Sequence, residues 1–185
     1  MPLHKLPFKS LGELLKMRLT SEEDPKTAKL IRDFSKTKAR GWLTKRELEK
    51  ICRWKSHRAI VLVKSNPPRL IKQITKEAFK SRNEKNKVEL LIQLRGVSIP
   101  MASSILMLTN PKRYGVIDIR VWEILYKLGT ITTNPKGVNF KINEWYRLQM
   151  ILRYFAKKYG VTVRAIEYSI FNVHQEFQKG KLYRE

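Results

Sequence analysis

A short turn near the middle of the chain has the residue types of a phosphate-binding element. In "LRGVSIPMASSIL", residues 94–106, two apolar helical runs flank Gly96, Val97 and Ser98. Gly96 allows the positive φ of a tight turn, and Val97 fills the angle between the two helices. The amides from Ser98 to Met101 then lie at a helix N-terminus, where unpaired N–H groups and the helix dipole favour an anion. This spacing predicts a helix-hairpin-helix element that binds a phosphate backbone. The alternative is an ordinary helical hairpin with Gly96 as a C-cap.

The elements that must position this turn are helices. Apolar side chains recur at helical spacing through most of the chain, and two-residue alternation is nearly absent. We therefore expect an all-α fold, with one small β-hairpin near residues 130–142 as the exception. Asp118 begins a helical run that Gly129 ends, so the Asp118 side chain can serve as the N-cap of that helix.

The composition points to an anionic partner. The 185 residues include 39 Lys and Arg against 16 Asp and Glu, a formal net charge of +23. Such a surplus repels itself unless a partner offsets it, which favours nucleic acid first and an anionic membrane face second. The alternative is that the lysines only solvate the surface.

Cysteine usage and hydropathy exclude several protein classes. One cysteine, Cys52, excludes an internal disulfide and a Cys-ligated iron–sulfur cluster within one chain. No apolar window has the length of a membrane span, and the N-terminus lacks the features of a secretory leader. The sequence therefore predicts an intracellular protein, cytoplasmic or nucleoid-associated, without a membrane partner. No protein partner is predicted.

Two stretches together carry a family resemblance. "LRGVSIPMASSIL", "YGVIDIRVWEIL" and the spacing between them resemble the helix-hairpin-helix DNA glycosylase superfamily, which includes endonuclease III and the 3-methyladenine and 8-oxoguanine glycosylases. The resemblance is sharpest over residues 84–129. It implies a DNA repair N-glycosylase that removes a damaged or mispaired base from double-stranded DNA. By position, Asp118 matches the catalytic aspartate of that family, whose carboxylate supports glycosidic bond cleavage by stabilising an oxocarbenium-like sugar and orienting water.

The resemblance also implies an architecture of two helical lobes. Residues 44–129 would form a barrel-like lobe that carries the hairpin. Residues 1–43 and 130–185 would form a second lobe packed against it. The extruded base would lie in the cleft between the lobes, with Asp118 on one wall.

Two departures from the family pattern bear on the reaction. Ser98 stands where a second turn glycine is usual, and Pro100 stands where lyase members carry a lysine that forms a Schiff base. Without that amine we expect a monofunctional glycosylase with water as the nucleophile. Lys112 is close in sequence, but nothing in its spacing supports it as a substitute. No metal site or iron–sulfur cluster is expected, and the single cofactor that stays open is a monovalent cation at the hairpin.

The segment "CRWKSH" supplies candidates for the gap that an extruded base leaves behind. If the helix order follows the family, this loop enters the DNA stack, with Lys55, Ser56 or His57 filling the gap and Trp54 as a stacking wall. The alternative is that Trp54 belongs to the core and that the residues after it form a solvated basic turn.

Two further functions remain compatible with these residues. A helix-hairpin-helix module can grip the backbone of duplex DNA without catalysis, and its salt-sensitive binding would not change in Asp118→Asn. An RNA-associated protein is the other alternative, because net charge does not distinguish types of duplex.

Overall fold

The computed structural model describes residues 3–180, and the helices account for most of them. The helices are α1 (Leu11–Arg18), α2 (Pro25–Arg40), α3 (Lys45–Lys55), α4 (Ile60–Lys64), α5 (Pro68–Lys80), α6 (Glu84–Leu91), α7 (Ile99–Thr109), α8 (Ile119–Lys127), α9 (Ile142–Tyr159) and α10 (Val163–Phe177). A 3₁₀ turn, His57–Ala59, joins α3 to α4. Strand pairing within residues 3–180 is limited to one isolated bridge between Leu3 and Gln178. No helix of this range is long and apolar enough to cross a membrane. The all-α prediction is confirmed.

Local sequence signals set several helix ends. At the start of α3, the Thr44 hydroxyl accepts from the Glu47 amide at 3.2 Å, and the Glu47 carboxylate accepts from the Thr44 amide at 2.7 Å. These reciprocal bonds form a capping box, as the spacing predicts. The segment 35–42 is cationic and contains Gly41, a composition that favours a loop, but α2 continues through it as far as Arg40 with Thr37 buried. Gly41 then ends that helix with a φ of 81°.

The core is centred on α7. Every residue from Met101 to Thr109 is buried, because α2, α3, α6 and α9 all pack against this helix. On another side, α10 packs against α1, α8 and α9. Buried apolar side chains from α1 to α10 form one connected cluster. The division into lobes 44–129 and 1–43 plus 130–185 stays a prediction.

The β-hairpin expected near residues 130–142 is not formed, and that expectation was wrong. The segment is an irregular loop in which Asn134, Gly137 and Asn139 all take positive φ, of 51°, 59° and 52°. The positive φ values make the chain turn back on itself instead of extending as a strand. The Asn134 side chain stabilises this turn by donating to the Val138 carbonyl at 2.9 Å. The indole of Trp122 on α8 donates to the Asn134 carbonyl at 2.9 Å, which ties the loop to the core.

Candidate active site and nucleic-acid interface

Asp118 lies at the end of a loop whose backbone is fixed by buried side chains. Three successive amides before Asp118 each donate to a buried side-chain oxygen: Gly115 to Gln149 at 2.9 Å, Val116 to Glu167 at 3.3 Å and Ile117 to Ser103 at 3.1 Å. Asp118 itself is the N-cap of α8, since its Oδ1 accepts from the Arg120 amide at 2.9 Å. The predicted capping role is confirmed, and the carboxylate is held in one place.

Lys55, the last residue of α3, pairs directly with this carboxylate. Its Nζ donates to Asp118 Oδ2 at 2.6 Å, and the two side chains are only 16% and 17% exposed. Burial raises the pKa of Asp118, but the charge and hydrogen bond of Lys55 and the bond from the Arg120 amide oppose it. The pKa of Asp118 therefore lies below its usual value. Asp118 is ionised at neutral pH although it is largely buried.

A cavity of about 250 Å³ opens beside this pair. Its walls include the aromatic side chains of Trp54, Tyr168 and Phe171, together with Lys55 and Asp118. The Trp54 indole donates to the Thr27 hydroxyl at 3.0 Å, which fixes the plane of that ring. A cavity with flat aromatic walls and a few polar groups is suited to a planar ring such as a nucleobase.

The most buried part of the cavity wall, formed by Arg164 and Glu167 and termed the closed end, contains an ionic cluster. Arg164 on α10 binds Glu23 twice, with its Nε and Nη2 donating to the two carboxylate oxygens at 2.6 and 3.0 Å. Its Nη1 donates to Glu167, which also accepts from the Val116 amide. Glu167 is fully buried, and because burial outweighs the share of the Arg164 charge that it receives, its pKa is raised. This cluster ties α10 to the segment before α2 and to the loop that leads to Asp118.

A wider cleft of about 510 Å³ also borders the ion pair. Its walls include Ser56 and His57 of the turn after α3, Ser98 and Pro100 of the hairpin, and Asn139 of the loop before α9. Lys55, Asp118 and Arg120 line both the cleft and the cavity. The ion pair therefore stands where the wider cleft meets the smaller cavity.

The hairpin turn between α6 and α7 needs Gly96 for two reasons. Its φ is 79°, the left-handed region that side chains disfavour. A Cβ atom at this position would also lie 2.9 Å from Leu62 Cβ and 3.0 Å from the Val63 amide nitrogen of α4. Val97 is buried next to it, as the sequence predicts.

Asn66 holds the same turn, although its place before Pro67 and Pro68 in the sequence indicates only a helix cap. Its buried amide group donates to the Arg95 carbonyl at 2.9 Å, and its Oδ1 accepts from the Arg95 amide at 2.9 Å. The same nitrogen donates to the Val63 carbonyl at 3.0 Å. The Asn66 side chain thus joins the end of α4 to the turn, with the same pair of N–H to C=O hydrogen bonds that a neighbouring β-strand would make with Arg95.

The first turn of α7 presents backbone donors at the cleft. Within the described part of the chain, the amides of Ser98, Ile99 and Met101 have no protein acceptor, and Pro100 has no N–H. Ser98 occupies the N-cap position of α7, but its hydroxyl makes no capping hydrogen bond. The Met101 side chain is buried, so this residue can contact a ligand only through its backbone. Unpaired amides at a helix N-terminus are suited to a phosphate group.

Comparisons with protein-family models, with characterised proteins and with solved structures found no match to this chain.

The structure brings most of the predicted site residues together. Trp54 lines the cavity, Ser56 and His57 line the cleft, and Lys55 and Asp118 line both. Lys55 faces Asp118, which differs from the role of filling a gap in the DNA. Gly96 and Val97 lie behind the cleft wall. Among the other aromatic residues, Tyr168 lines the cavity, whereas Trp122 and Trp145 belong to the core.

Metal-binding geometry is not found in residues 3–180, where no group of three or more His, Cys, Asp or Glu side chains could hold an ion. The buried His174 contacts Glu123 on α8 at 3.0 Å.

Proposed function

We propose that this chain is an intracellular DNA N-glycosylase that removes a damaged or mispaired base from double-stranded DNA. The observation that carries the proposal is the position of Asp118. An ionised carboxylate stands where a cavity with aromatic walls meets a groove lined by the hairpin. An enzyme that extrudes a base needs this order of parts: a backbone anchor, a charged group at the sugar and a pocket for the ring.

The cavity would receive the extruded base. Trp54, Tyr168 and Phe171 lie in its wall. Stacking on aromatic rings can hold any of the bases, because every base presents a flat π-face. The sugar carbon C1′ would then lie at the cavity mouth, near Asp118. When the base departs, the carboxylate stabilises the positive charge on the sugar and orients the attacking water.

The groove would hold the DNA backbone. The unpaired amides of Ser98, Ile99 and Met101 supply donors for one phosphate, and the net charge of +23 supplies attraction over a longer range. His57 is exposed at the cleft wall, which makes it the best placed residue of the turn after α3 to enter the gap left by the base.

A base-release assay with a matched variant tests the proposal. Duplexes that each carry one uracil, hypoxanthine, 8-oxoguanine, alkylated purine or mismatch are incubated with the protein and then treated with alkali, which cleaves abasic sites. We expect strand breaks at one of these sites, and a loss of about 100-fold or more in Asp118→Asn. Asparagine also caps helices well, so the variant should stay folded and bind DNA.

Asp33→Asn is the control. Asp33 is an exposed carboxylate paired with Lys29 and Lys50 and is not among the residues that line the cavity or the cleft, so its loss should leave base release unchanged. Equal base release by Asp118→Asn and the wild type would contradict the proposal. Salt-sensitive DNA binding without base release from any duplex would support the non-catalytic helix-hairpin-helix module instead.

A further inference from the structure

The amine of Lys55 is placed to react with the sugar on which Asp118 acts. Nζ lies 2.6 Å from Asp118 Oδ2, so a sugar carbon close enough to be stabilised by the carboxylate is also within reach of the amine. Among the described residues that line the cavity and the cleft, Lys55 is the only lysine. Arginines also line these walls, but a guanidinium stays protonated and is not a nucleophile.

The position of Lys55 is fixed by the fold. The capping box at Thr44 and Glu47 anchors the start of α3. Near its end, Trp54, the residue before Lys55, donates from its indole to the Thr27 hydroxyl. Pro100 lies on the wall of the same cleft and offers no amine. The amine at this site therefore comes from α3, opposite the hairpin.

We infer that Lys55 forms a Schiff base with the abasic sugar and cleaves the DNA strand on its 3′ side. This inference rests on the proposed function, in which water attack first leaves an abasic site in the groove. The abasic sugar is in equilibrium with an open-chain aldehyde at C1′, and an aldehyde reacts with a primary amine.

Each step balances without a further reactant. The Lys55 ammonium loses one proton to solvent, and the neutral amine attacks the C1′ aldehyde carbon. The neutral adduct takes up one proton from solvent, loses water and becomes a protonated imine. The Asp118 carboxylate removes a proton from C2′, the C3′–O bond breaks, and the 3′ phosphate leaves with the electron pair of that bond. Water then hydrolyses the imine, which releases an unsaturated aldehyde end and restores the lysine.

The test uses duplex DNA with one preformed abasic site, so that it does not depend on the lesion or on base release. The full chain is incubated with this DNA and borohydride, which reduces an imine to a stable amine bond. We expect a covalent protein–DNA product whose peptide map places the adduct on Lys55, and 3′-side cleavage when borohydride is omitted. A tetrahydrofuran analogue, which has no aldehyde, should give neither product.

Three variants separate chemistry from folding and charge. In Lys55→Met the trapped product should fall by about 100-fold or more, because the nucleophile is removed. Lys55→Arg keeps a positive charge beside Asp118 and should lose trapping equally while staying folded. Lys50→Met, on the same helix but paired with exposed Asp33, should trap like the wild type.

The outcomes distinguish this inference from the proposed function. Trapping at Lys55 with no base release from any lesion would uphold the inference and overturn the glycosylase. Base release without an adduct, or an adduct on another amine that persists in Lys55→Arg, would overturn the inference and leave the glycosylase standing.

Discussion

Two carboxyl groups on the wall of one cavity are held in opposite ways. Asp118 stands at the open end with its charge maintained by Lys55, and its pKa is lowered because that partner and the Arg120 amide outweigh burial. Glu167 stands at the closed end, shares Arg164 with Glu23, and has a raised pKa because it is fully buried. The opposite pKa shifts correspond to different roles of the two carboxyl groups. Glu167 joins parts of the fold, whereas Asp118 lies next to solvent and to the Lys55 amine.

Removing Arg164 should break the closed end and give the largest change in stability. Arg164→Met would leave Glu23 and Glu167 without their shared cation, and breaking a buried ionic cluster costs about 3–5 kcal/mol of unfolding free energy. Urea denaturation followed by tryptophan fluorescence measures this change.

Arg53→Met is the matched control for that experiment. Arg53 is half exposed and pairs with Glu49 one helical turn away, and such pairs on a helix surface contribute about 0.5 kcal/mol or less. If Arg164→Met were as stable as Arg53→Met, the closed end would not have the structural role assigned to it.

The open end depends on backbone geometry, which Gly96→Ala tests. Gly129 serves as the control because its φ is 65° but a Cβ atom there would contact nothing within 4 Å. Gly129→Ala should lose about 1–2 kcal/mol from the left-handed backbone alone. Gly96→Ala should lose about 1 kcal/mol or more beyond that, because its methyl group collides with Leu62 and Val63.

DNA binding provides a second measurement for the same pair of variants. Gly96→Ala should weaken duplex affinity, since the hairpin amides move with the turn, and Gly129→Ala should leave affinity unchanged. Equal losses of stability in the two variants would show that the contact with α4 does not constrain the hairpin.

The sequence predicts those parts of the site in which the interacting residues are close together along the chain. Gly96 and Val97 are adjacent in the turn and behave as expected. The capping box joins Thr44 and Glu47, which are three positions apart, and Asp118 caps the helix that it begins. In each instance the physical cause is a backbone conformation or a local hydrogen bond, and both are encoded within one turn of chain.

The contacts that the sequence did not reveal join distant segments. Lys55 is 63 residues from Asp118, and Arg164 is 141 residues from Glu23. Charge patterning alone gives no preference among 39 cationic residues for one carboxylate. The role of Asn66 is hidden in the sequence for a related reason: its side chain can satisfy a helix end or a distant turn, and packing of α4 against the hairpin decides between them.

The pH dependence of stability should show the contrast between the two carboxyl groups directly. The lowered pKa of Asp118 means that this group stabilises the fold above the ordinary aspartate value of about 3.9, and that the contribution is lost as pH falls toward the folded-state pKa. The raised pKa of Glu167 reverses the sign. Its contribution is present below the ordinary glutamate value of about 4.3 and is lost as pH rises through the folded-state pKa.

Unfolding free energies of the wild type, Asp118→Asn and Glu167→Gln, measured in urea from about pH 3 to about pH 8, check these signs. The advantage of the wild type over Asp118→Asn should grow as pH rises from the acid end. The advantage over Glu167→Gln should shrink over the range where Glu167 ionises, because the buried carboxyl then gains a charge that the glutamine never carries. Slopes of the same sign would mean that Arg164 keeps Glu167 ionised as firmly as Lys55 keeps Asp118, and the two ends of the cavity would then differ in exposure but not in electrostatics.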